Sequence, residues 1–159
     1  MASDALLLER LFGALEKCAL EAIVVGSVAA ILQGAPVMTQ DVDLLVRDTP
    51  LNRKKLDRLG ALLGRGRPVP VSELTSAVTL LGADMPLDFL FDSISGGLSF
   101  AKLRSRCLRI QVGKRTALVA RLEDVIRSKE SAGRLKDQAQ LPILRDTLRV
   151  KQALDESAK

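Results

Sequence analysis

The chain has 159 residues, with 24 Lys plus Arg against 19 Asp plus Glu, and 47% of its residues are hydrophobic. That length and composition are those of one folded domain needing no covalent staples, which excludes disorder over most of the chain. There is no His, Trp or Tyr. Histidine bases and metal ligands, Ser-His-Asp triads and a base-stacking platform are therefore excluded or poorly supplied.

Cys18 and Cys107 are too few for a four-cysteine zinc site, and two scattered thiols read as a reduced, cytoplasmic protein. No apolar run is long enough for a membrane span, and no signal-peptide pattern opens the chain. The positive excess is concentrated. Between Arg47 and Arg67 seven basic residues stand against Asp48 and Asp57, and between Lys102 and Arg115 there are six and no acid. A polyanion such as a nucleotide or RNA fits this charge, and so does an ordinary solvated face.

Ser3 is a candidate N-cap for a helix from about Asp4 to Glu21, with Leu8, Leu11, Phe12, Leu15 and Cys18 at helical spacing. Leu6, Leu7 and Leu8 make that helix apolar on more than one side, a candidate partner face. Ala22 to Val25 reads as a short buried strand. Ser27 can cap a second helix, Val28 to Gln33, that Gly34 stops. Asp41 to Arg47 reads as a strand, Pro50 starts a basic helix to about Leu63, and Gly64 to Pro70 reads as a mobile loop. Ala77 to Leu81 and Leu87 to Phe91 form a hairpin, and Ser93 to Ser99 is a Gly/Ser loop. A short helical piece, Phe100 to Arg104, follows. Leu108 to Val112 and Ala117 to Ala120 form a second hairpin turning at Gly113-Lys114. Helices follow at Leu122 to Ala132 and, after a Gly133-Arg134 break, Lys136 to about Ala153, with Pro142 expected to restart the last one. Two hairpins among helices predict an α+β fold: a mixed β-sheet packed against helices, with C-terminal helices. The expected organisation is one domain, 1–159, with a core of about 22–120 and a helical part of about 121–156.

Three carboxylates fall on these strands. Side chains alternate along a strand, so Asp41 and Asp43 share a face roughly 7 Å apart at ~3.3 Å per residue. Two carboxylates so placed repel unless a cation lies between them, and oxygen ligands of this kind suit Mg²⁺ and a substrate phosphate. Gly26-Ser27 lets backbone approach a phosphate and presents amides at a helix start. Asp88 interrupts the apolar strand Leu87-Asp88-Phe89-Leu90-Phe91. An acid there needs a shared metal, a hydroxyl to deprotonate, a basic partner or a solvated face. Lys129 lies seven residues after Leu122 on the buried stripe of its helix, where it snorkels or meets an anion. Arg134, Lys136 and Asp137 follow at the helix break.

This arrangement resembles the nucleotidyltransferase superfamily of the DNA polymerase beta type, in particular small bacterial members such as minimal nucleotidyltransferases and AbiEii-type toxins. The residues that carry the resemblance are Val25-Gly26-Ser27, thirteen intervening residues, Asp41-Val42-Asp43-Leu44, and Asp88 as the third acid. Lys129 and Lys136-Asp137 resemble a helical lysine and lysine-aspartate pair of the same group. The resemblance covers roughly Ile23 to Leu144. It implies a nucleotidyltransferase-like sheet, with Asp41, Asp43 and Asp88 holding Mg²⁺ (or Mn²⁺). Gly26, Ser27, Lys129, Lys136 and Asp137 would lie around a nucleoside triphosphate. The implied reaction moves a nucleoside monophosphate to an RNA (tRNA), protein or small-molecule acceptor, with toxin–antitoxin systems one setting and a homodimer or partner subunit one form. The alternative is a catalytically inactive nucleotide- or RNA-binding module, or a regulatory subunit, on the same fold. Without histidine the general base must be a carboxylate, and no histidine-like titration near neutral pH is expected.

Overall fold

The computed structural model describes residues 2–158, and side chains from residue 4 onward. Helix α1 (Ala2–Lys17) buries Leu7, Leu8, Leu11, Phe12, Ala14 and Leu15, the stripe that its three-and-four spacing dictates. It ends before the expected Glu21 because Ala19 turns left-handed at φ 51, and the Leu20 amide returns to the Leu15 carbonyl at 3.0 Å. That is a helix stop usually given to glycine. Ser3 lies inside the helix rather than ahead of it, and its side chain is outside the described part. Of the three leucines of the expected partner face only Leu6, 61% exposed, points outward.

Strand β1 (Ile23–Val25) runs directly into helix α2 (Gly26–Ile31). The helix starts two residues earlier than expected, with Val25 at its N-cap and no capping side chain, so Ser27 is free for another use. Strand β2 (Val42–Val46) follows a loop, and helix α3 (Pro50–Leu62) begins at Pro50. There the Asn52 amide donates to the Thr49 hydroxyl at 3.0 Å.

Gly64 to Pro70 departs from the loop expected there. Arg65 donates to the Leu80 and Met85 carbonyls at 3.0 and 2.8 Å, and the segment ends in edge strand β3 (Val69–Pro70). A Cβ on Gly60 would fall 1.8 Å from the Gly66 carbonyl oxygen, so only glycine lets α3 meet this segment backbone to backbone.

Strands β4 (Val78–Leu80) and β5 (Leu87–Phe91) form the first expected hairpin. The Gly/Ser loop holds a small hairpin of its own, β6 (Ser93–Ile94) and β7 (Leu98–Ser99), before helix α4 (Phe100–Arg106). Strands β8 (Leu108–Val112) and β9 (Arg115–Val119) form the second expected hairpin. Helices α5 (Leu122–Ala132) and α6 (Leu135–Ser157) close the chain, with Gly133 left-handed at φ 63 between them. Pro142 does not restart α6; the helix runs through it. The proline removes one backbone hydrogen bond, but Leu141 and Leu144 beside it are buried where α6 packs on α5.

The seven-stranded sheet is mixed, in the order β3-β4-β5-β2-β1-β9-β8. Strand β1 pairs antiparallel with β2 and parallel with β9, while β2 and β5 are parallel. Helix α5 packs on both α2 and α6, and α1 packs on α3 and the β8–β9 hairpin. All four Phe are buried. More than half of the two basic runs is spent on the fold itself. Arg47 and Arg53 lie over the Phe100 and Phe91 rings, Lys55 reaches the Ala19 carbonyl, and Arg104, Arg106 and Arg115 pair with Glu21, Asp124 and Glu16. Among the described residues no helix is long and apolar enough to cross a membrane.

Candidate active site

The central strands bring the acids together. Asp43 on β2 lies beside Asp88 on the parallel neighbour β5, and opposite Val25 at the end of β1. Asp41 falls just before β2, not in it. It is placed by the loop, where the Thr39 hydroxyl donates to its carboxylate at 3.3 Å and to its carbonyl at 3.2 Å. One carboxylate oxygen from each of Asp41, Asp43 and Asp88 lies within 4.8 Å of the others. The oxygens meet although Asp41 comes from the loop and not from the strand.

Gly26 makes room for this cluster. It takes φ +66, and a Cβ there would sit 2.6 Å from Asp43 Oδ2. The missing Cβ thus lets the Asp43 carboxylate close onto the turn. Gly26→Ala is expected to lose ~1–3 kcal/mol of stability from the left-handed backbone and to push Asp43 out of the cluster. Chemical denaturation and a Mg²⁺ titration of the same variant measure both effects.

Charge crowding shows in the protonation of the site. Burial, then the Asp41 and Asp88 charges, push the Asp43 carboxyl up to about 7, against the pull of Lys136 and Lys129. Asp88 is raised as well, chiefly by burial. The Asp43 carboxyl is therefore placed near neutrality although the chain has no histidine. Three hard oxygens that repel one another in a partly buried cluster fit a divalent cation, which would relieve the repulsion.

Lysine and arginine stand across from the acids. Lys129 is buried on α5 as its spacing predicts, and its Nζ donates to Ser27 Oγ at 3.1 Å and to Asp137 Oδ1 at 3.3 Å. Arg134 Nε donates to Asp137 Oδ2 at 2.7 Å. Asp137 is 0% exposed, so it lies beneath the two cations rather than against the cleft. Burial alone would raise its carboxyl, but the Arg134 and Lys129 hydrogen bonds and charges outweigh it and hold the group below the usual range. Lys136 is exposed at the cleft.

These groups line one cleft of about 980 Å³, walled by Gly26, Ser27, Asp41, Asp43, Lys129, Arg134, Lys136 and Gln140 among others. Asp88 stands one strand along from this wall. Ser27 does not cap α2; its hydroxyl donates to Gln140 Oε1 at 3.0 Å and accepts from Lys129. Gln140 also donates to the Met38 carbonyl at 3.2 Å. It thereby ties the Gly26-Ser27 turn and the loop before Asp41 to α6. Sequence reasoning missed Gln140, although it falls four residues after Lys136 on the same side of the helix. Thr39, which aims Asp41, and Ser93–Ser95, which line the cleft, left no signal beyond a loop composition.

No protein-family model and no curated protein sequence matches the chain. Solved structures do. The solution structure of the antibiotic-resistance factor ANT(2'')-Ia aligns over 99% of this chain and 93% of its own, with TM-score 0.67 and 15% identity. The crystal structure of ANT(2'')-Ia in complex with adenylyl-2''-tobramycin covers 99% of both chains, with TM-score 0.65 and 14% identity. A protein of Thermotoga maritima described as a nucleotidyltransferase covers 98% of this chain and 95% of its own, with TM-score 0.62 and 15% identity. The chain has the nucleotidyltransferase fold. Within that fold Asp43 and Asp88 lie on the two parallel central strands, Asp41 on the loop before one of them, and the cations on the two helices that close the chain and the break between them.

Proposed function

We propose that the chain is a metal-dependent nucleotidyltransferase that moves a nucleoside monophosphate from a nucleoside triphosphate to the hydroxyl of a small-molecule acceptor. The observation that carries this reading is the convergence of Asp41, Asp43 and Asp88 within 4.8 Å, in a cleft whose other wall holds Lys129, Arg134 and Lys136. A pure binding module has no need for three crowded carboxylates, which repel one another and a phosphate alike.

Asp41, Asp43 and Asp88 would hold Mg²⁺ or Mn²⁺. Such an ion would neutralise the triphosphate and stabilise charge on the attacking and leaving oxygens. The protein's own groups supply the rest. Lys129 and Arg134, fixed by Asp137, and Lys136 face the phosphate charge. Ser27, oriented by Gln140 and Lys129, presents its hydroxyl beside them. Asp88 takes the proton of the acceptor hydroxyl as the acceptor oxygen bonds to the α-phosphorus. The α–β bridging bond breaks, and pyrophosphate leaves with the electron pair.

A small-molecule acceptor is supported by the cleft volume, which suits a triphosphate and a compact second substrate. The fold neighbour whose crystal structure holds an adenylylated antibiotic supports it too. The test is transfer of label from each α-labelled triphosphate with Mg²⁺ to polyhydroxylated small molecules, to tRNA and to protein. Label on a small molecule is expected. Label on tRNA or protein alone would move the acceptor class and open a toxin–antitoxin role. No label on any acceptor, with no Mg²⁺-dependent binding of any triphosphate, would overturn the reading.

A further inference from the structure

Strand β4 carries a side chain that the fold itself does not need. Thr79 lies directly opposite Asp88 in the antiparallel β4–β5 pair. Directly opposed residues share a face, with Cβ atoms about 4.5–5.5 Å apart. Leu80, next along β4, is buried in the core. Thr79 is 8% exposed, and its Oγ1 is the one buried side-chain polar atom among the described residues that closes no hydrogen bond. An unpaired buried hydroxyl costs ~1–3 kcal/mol. Valine has the same shape, serves a strand as well and carries no such cost.

We propose that Thr79 is a positioning residue, its hydroxyl orienting the Asp88 carboxylate toward Asp41 and Asp43. This inference rests on the metal-binding reading above. One Asp88 oxygen already lies within 4.8 Å of an oxygen of Asp41 and of Asp43, and with a cation held there the other would accept from Thr79 Oγ1. Groups behind a ligating carboxylate typically carry 10- to 100-fold in metal affinity.

The experiment titrates Mn²⁺ alone into wild type, Thr79→Val and Thr79→Ser, read by electron paramagnetic resonance, beside metal-free unfolding of each. Thr79→Val is expected to weaken Mn²⁺ binding about 10- to 100-fold and to broaden the bound-ion spectrum. Thr79→Ser is expected to restore both. The metal-free unfolding midpoint of Thr79→Val is expected to equal or exceed that of wild type, because the unpaired hydroxyl is gone. A purely structural threonine would lower that midpoint and leave Mn²⁺ affinity unchanged, and that result overturns the proposal. Wild type that binds no Mn²⁺ overturns the site reading and this inference together, whereas intact binding in both wild type and Thr79→Val overturns this inference alone.

Discussion

Asp43→Asn is expected to give a chain more stable than wild type at pH 8 without metal, yet blind to metal. The sign follows from its raised carboxyl. Between 3.8 and about 7 the native state keeps a proton that the unfolded state has released, so stability falls as pH rises through this window. At pH 8 the wild-type cost is complete, and relieving it is worth up to ~4 kcal/mol. At pH 4 the carboxyl is largely protonated in both states, and the gain should shrink toward zero. Mg²⁺ with a saturating triphosphate should close most of that gap. Wild type at about a hundred times Kd gains ~2.7 kcal/mol, and Asp43→Asn gains nothing and loses more than ~100-fold in transfer, exceeding what a group behind a ligand costs. Thermal unfolding at the two pH values, with and without metal and nucleotide, checks every part. A variant less stable than wild type at pH 8 would overturn the account of Asp43.

The opposite sign is expected at Asp137. Its carboxyl is held below the usual range, so the stability it contributes is present above pH ~4 and is lost as pH falls through the native value. Asp137→Ala would leave Lys129, its side chain 7% exposed, without its carboxylate partner. Breaking a buried pair by removing one member costs ~3–5 kcal/mol. For a chain of this size that lowers the unfolding midpoint by ~10 °C or more. Double replacement, Lys129→Met with Asp137→Leu, should recover much of the stability but not nucleotide binding, which separates the structural role of the pair from its role in the cleft.

The strands were legible because their apolar runs were short and bounded. Leu87–Phe91 and Leu108–Val112 fall where alternation puts them. Asp43 and Asp88 were legible because an acid in such a run has few uses. Lys129 was legible because its seven-residue spacing from Leu122 forces it inward. What escaped depends on chain meeting chain. Ala19 ends α1 through its backbone angle, Val69–Pro70 becomes a strand only because β4 is there to pair with it, and Ser27 reaches Gln140 across 113 positions. Asp41 was placed on the right side for an incomplete reason, since Thr39 rather than strand alternation turns it inward. Asp137 was assigned to the nucleotide's surroundings, yet its complete burial makes it a support for the cations above it.

The Gln140 bridge also sets an order in time. During synthesis Asp41, Asp43 and Asp88 leave the ribosome well before Lys129, Arg134, Lys136 and Gln140. A nascent chain therefore carries the three acids of the cluster before the cations that temper them and the helix that gathers the two loops around them. Until α6 docks, the acids lack the cationic wall opposite them. The segment made late is thus the one that turns a charged sheet surface into a cleft with a cationic wall.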